Sequence, residues 1–123
     1  MKVSLKRSEL PGMYGAINAN LKAFTGAKLT YAIAKNLRTL KAEVDLVNET
    51  RINLCKSWAS KDEDGEPMTE GDQFVIPDEE GFEEEIQKLF SEDTDLELHA
   101  VKQEDLNDEL TGDLVSLILP FVE

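Results

Sequence analysis

Few residues in this 123-residue chain combine a type and a spacing that could do chemistry. Asp62-x-Asp64 invites comparison with a calcium loop, which needs an Asp first, a Gly sixth and an acid twelfth. Counted from Asp62, those last two positions hold Pro67 and Gln73, so the segment reads as an acidic turn. A single histidine, His99, leaves little room for imidazole catalysis or a His-rich metal site, and a single cysteine, Cys55, excludes an internal disulfide. Cys55 lies beside an apolar helical stripe and reads as a small filler rather than a nucleophile. No serine occupies a Gly-x-Ser-x-Gly turn, and no glycine loop that cradles phosphate occurs. Carboxylates are abundant, but general acid–base work needs one held in a pocket that shifts its pKa, and these fall in turns and on polar faces. The expectation is a chain that is not an enzyme and takes neither cofactor nor metal.

Charge is the stronger signal. The net charge is −13, but residues 1–60 carry ten Lys/Arg against four Asp/Glu, while residues 61–123 carry three Lys against twenty-two Asp/Glu. Opposite halves of this kind attract one another, so they pack together or pair between copies. Lys35, Arg38 and Lys41 recur on one helix and could touch phosphates, but the strongly acidic second half opposes direct nucleic-acid binding. Glu79, Glu80, Glu83, Glu84 and Glu85, followed by Glu92, Asp93 and Asp95, form a dense acidic tract. It reads as a solvated surface that keeps the chain soluble, or as a face for a protein partner with a basic surface. It also permits an acidic mimic of nucleic acid that occupies a basic groove.

Helices must position these residues. Ser8 and Pro11 mark a helix start, and Leu10, Tyr14, Ile17, Leu21 and Phe24 recur at alternating spacings of four and three up to a break at Gly26. A second helix is expected from about Leu29 to Ser57 or Ala59, with no Gly or Pro inside. Its stripe is Ile33, Leu37, Leu40, Val44, Val47, Leu54 and Trp58, interrupted only by Arg51. The first helix is expected to be roughly half as long as the second. The stretch from Val44 to Trp58 therefore needs cover from the C-terminal half or from a second copy, which makes a homodimer an open expectation. Beyond the Asp64-Gly65 turn, 73–76 reads as a short strand and Asp78 as the cap of an acidic helix. Thr94 to Lys102 alternates as a strand that pairs with 73–76 or lies at a sheet edge, and Thr111 caps a last helix. The expected fold is α+β: a long antiparallel helical hairpin (1–60) with a small acidic cap (61–123) of short antiparallel strands and two helices, folding as one unit. No apolar run is long enough to cross a membrane, and the N-terminus lacks the apolar stretch of a secretory signal.

The run Tyr31-Ala32-Ile33-Ala34-Lys35-Asn36-Leu37 opens that long helix. Arg51 follows near its end, then the Lys61-Asp62-Glu63-Asp64-Gly65 turn, Phe74-Val75-Ile76-Pro77-Asp78 and the acidic helix. In order and spacing this resembles a family of small uncharacterised phage and prophage proteins. The resemblance implies a phage-encoded protein located in the cytoplasm of the bacterial host or in the virion, and it supplies no catalytic residues. The expected function is non-enzymatic protein binding that modulates or inhibits a host protein, including a defence protein; a virion component or assembly factor is the alternative. Candidate contacts are Asn36, Arg51, Trp58, Glu79, Glu80, Glu83, Glu84 and Glu85. Asn36 and Arg51 have a second reading as internal ties to the C-terminal half, with Arg51 paired to an acid there.

Overall fold

The computed structural model describes residues 1–123. One helix, α2 (Ala27–Trp58), dominates it, 32 unbroken residues and about 48 Å long. No Gly or Pro interrupts it, and Gly26, at φ +91°, makes the turn that separates it from the preceding arm. That arm is α1 (Leu10–Ala19), with Pro11 in its first turn, followed by a tight 3-10 turn at 21–23. It is shorter than expected. Asn20 leaves the helical conformation and returns its side-chain amide to the Ala16 carbonyl at 2.7 Å. Leu21, expected on the buried stripe, is rotated out to 44 % exposure, while Leu10, Ile17 and Phe24 remain buried. Ser8 is not the cap; it lies in a 3-10 turn at 7–9, and Glu9 precedes the helix without a side-chain cap bond.

Of the two placements expected for the strand after Thr94, pairing with 73–76 does not form, and the edge of a small sheet does. A strand the sequence reading lacked, β1 (Lys2–Lys6), pairs antiparallel with β4 (Asp93–Glu97) in register from Lys2↔Glu97 to Lys6↔Asp93. Both strands alternate. Val3, Leu5, Thr94 and Leu96 face inward, and Lys2, Ser4 and Lys6 lie outside opposite Glu97, Asp95 and Asp93. This register buries the apolar faces and sets opposite charges across the outer face, which the 73–76 segment, Gln-Phe-Val-Ile with no cation, could not do for β4. That segment instead closes a local hairpin, β2 (Thr69–Glu70) with β3 (Gln73–Phe74), around Gly71 at φ +64°.

The two remaining helices begin where the sequence places their caps. Asp78 accepts from the Gly81 N–H at 3.0 Å to start α3 (Glu79–Ser91), and Thr111 accepts from the Leu114 N–H at 3.3 Å to start α4 (Gly112–Ile118). The hydrophobic core lies around the first part of α2: Leu29, Ile33, Leu37 and Leu40 meet Leu10 and Ile17 of α1, Leu96 and Leu98, and Ile118 and Phe121 at the C-terminus. The later part of α2 is covered by α3 of the same chain. Trp58 lies against Phe82 with ring centroids 6.4 Å apart, and Leu89, further along α3, lies beside Val47. The two helices are therefore antiparallel, and the C-terminal half supplies the cover.

Candidate docking groove

The turn after α2 folds the chain back on itself. The Asp62 carboxylate accepts from the backbone N–H groups of Asp64 (2.9 Å) and Glu66 (3.0 Å), and Gly65 takes φ +81°. Asp62 is thus engaged in shaping the turn. Ser60 then bonds on both sides, donating to Val75 and accepting from Met68, which seats the β2–β3 hairpin at the end of α2. Pro77 stops the strand, Asp78 caps α3, and Gly81 permits the close approach of α3 to Trp58. A Cβ at position 81 would stand 2.5 Å from Asp78 Oδ2 and 2.9 Å from Trp58 Cζ3.

Three elements meeting there leave a groove of about 690 Å³. Ile52 and Cys55 of α2, Phe74 and Ile76 of the hairpin segment and Phe82 of α3 supply its apolar lining. All five are half-buried, whereas the core side chains are buried. Acids stand at two walls, Asp72 beside the hairpin and Glu79 and Glu83 on α3. Arg51 stands at the α2 wall, held by Asn48 Oδ1 at 3.1 Å from Nη2 and 3.4 Å from Nε. It interrupts the α2 stripe at the point where α2 faces an open groove rather than a closed core. Its expected acidic partner in the C-terminal half is absent; Asn48, one turn back, takes that place.

The acids of this region differ from three that lie at or beside β4. Asp95 pairs with Lys2 at 3.5 Å, Glu97 with the N-terminal amine at 3.4 Å, and Glu92 with Arg7 at 3.2 Å. In contrast Asp72, Glu79, Glu80, Glu83 and Glu84 make no ion pair. Glu85 alone on α3 has one, with Lys88 at 3.0 Å; that hydrogen bond and the carboxylate charge hold the Lys88 ammonium above its ordinary range.

Of the residues singled out from sequence, the groove brings together Arg51, Glu79 and Glu83, with Trp58 behind it against Phe82. Glu80 and Glu84 are exposed on α3 outside its lining. Asn36 is elsewhere, 1 % exposed, with its amide donating to the His99 carbonyl (3.0 Å) and accepting from the His99 N–H (2.6 Å). That geometry is the internal tie. The residues that sequence reasoning missed are the hairpin pair Asp72 and Phe74 and the floor residue Ile52. The Gly71 turn between Glu70 and Gln73 was the available signal for the hairpin.

On the near part of α2 the basic residues are largely engaged. Lys41 bonds Asp45 at 3.1 Å, Lys28 approaches Asp105 at 3.9 Å, and Lys35 lies 5.9 Å from the Tyr31 ring centroid. A second hollow there, about 500 Å³, is lined by Tyr31 and His99 with Lys28, Lys102, Asp105 and Glu123 around them. Its charges are mixed and Lys28 and Asp105 pair with each other, so it presents no net preference for either sign. No protein-family model, curated protein or solved structure matches the chain.

Proposed function

We propose that the chain is a non-enzymatic, phage-encoded protein-binding module that docks a basic surface of a host protein, a defence protein included, and so modulates or inhibits it. One observation carries the docking: the groove joins a half-buried apolar lining to acids that have no partner inside the chain. Apolar area gives such a contact its affinity, and unpaired charge gives it orientation and a fast encounter. The phage origin is supported by the resemblance of the Tyr31–Leu37 helix, the Asp-Gly turn and the acidic helix that follows.

The proposal is tested in infected cells with tagged chain and with a Glu79→Lys/Glu83→Lys variant. The expected result is a host protein that co-purifies with the native chain and is lost with the variant, while a virion preparation contains none of the chain by mass spectrometry. Chain present in purified particles overturns the host-directed role in favour of a virion or assembly role. Equal recovery with both versions overturns the groove as its binding site.

A further inference from the structure

The groove also carries information about the shape of its occupant. Resting on the docking reading above, we infer that it takes a short amphipathic helix with apolar residues on one face and Lys or Arg on the flanks. Addition of an extended strand requires a sheet edge, and the only strand at the groove, β3, is two residues long. That offers too short a ladder of backbone bonds to hold a peptide. A helix needs no such edge. It needs a concave apolar strip for side chains at i, i+3 or i+4, and i+7, and flanks that match its polar borders.

The groove meets those needs. Ile52, Phe74 and Phe82 come from three separate elements and line one groove open to the surface. Acids border it on the hairpin side, at Asp72, and on the α3 side, at Glu79 and Glu83. A helix lying on it would therefore carry cations along both borders. The third wall has the opposite sign. Arg51 uses Nε and Nη2 on Asn48 and makes no bond through Nη1, so it has a donor free for the carbonyls that end a helix, or for an acid near that end.

Three synthetic peptides of about 14 residues, long enough for four turns, test this. One places Leu at i, i+3, i+4 and i+7 among Lys residues; the second has the same composition with the Leu positions scrambled; the third keeps the amphipathic pattern with Glu in place of Lys. Binding is followed by anisotropy and mapped by backbone amide shifts of the full-length chain. The expected result is that the Leu/Lys helix shifts amides around Ile52, Phe74 and Phe82. It should bind about tenfold tighter than its scramble, equivalent to about 1.4 kcal/mol. The same tenfold is lost in Glu79→Lys/Glu83→Lys, whose melting curve checks that it folds, and the Leu/Glu peptide does not bind. A scrambled peptide that shifts the same amides with equal affinity overturns the helical occupant and leaves the docking reading standing. Shifts that fall on the β1–β4 face, or are spread over all acidic residues, overturn both. A Leu/Lys peptide that causes no shift also overturns the helical occupant, and the co-purification from infected cells then judges the docking reading separately.

Discussion

The two ends of α2 meet the rest of the molecule on different terms. From Leu29 to Leu40 the helix buries six side chains, packed by α1, β4 and the C-terminal turn; from residue 41 onward it buries only Val47. The apolar spacing is the same along both parts. What differs is the cover. The first part is enclosed from several directions, whereas the second has α3 and a two-stranded hairpin, which leave Ile52, Cys55 and Trp58 half-buried. Burial, rather than the stripe itself, separates a region that holds the fold from a region with surface left for a partner.

The sharpest way to break this comparison is to delete the same kind of atoms at each end. Leu40 is fully buried, so Leu40→Ala should cost about 3–4 kcal/mol through lost transfer and a cavity. Ile52→Ala at the half-buried end should cost roughly 1 kcal/mol. Urea denaturation of both variants gives the contrast, and equal losses would remove it. Next in size is Asn36→Ala. It leaves the His99 N–H and C=O without their partners, which costs about 2–3 kcal/mol, and amide exchange at His99 should accelerate in step.

Gly81→Ala sharpens the comparison at the far end. The added methyl must displace the Asp78 cap or the Trp58 ring, at about 1–2 kcal/mol. Hydrogen exchange should rise across 79–91 while residues 29–40 keep their protection; loss of protection in both would make the molecule uniformly cooperative. The smallest effect belongs to Lys88→Ala, since the Lys88–Glu85 pair is exposed and such pairs contribute little. Its melting midpoint at neutral pH should match that of the native chain within error. The pair's sign is nevertheless fixed. The folded state holds Lys88 protonated above 10.5, so its small contribution is present below that value and fades as pH rises through the raised one. A pH series in which the native chain gains stability over Lys88→Ala as pH rises through the alkaline range, instead of converging with it, would contradict that assignment.

Much of this was legible from local pattern. The extent of α2, the Asp78 and Thr111 caps and the Asp62–Gly65 turn each depend on residues within a few positions of one another, and each formed where it was expected. The site was legible in part. Glu79, Glu83 and Arg51 stood out by type, but nothing in their spacing says that they line one groove with Phe74 and Ile52. The pairing of β1 with β4 was illegible for the same reason, since Lys2 and Glu97 lie at opposite ends of the chain. Arg51 and Asn36, read as equivalent ties, diverged because one faces an open groove and the other a core that leaves no buried side-chain polar atom unbonded.

By itself the sequence determined the helical rod, its apolar stripe, the turns and the division of charge, because helix period, capping and composition act through neighbours along the chain. Only the tertiary structure decided which acids met a cation of the N-terminal segment and which were left without one at α3, and which stretch of the stripe was enclosed. Those outcomes depend on which faces compete for the same cover, and that competition takes place between segments far apart in sequence but close in space.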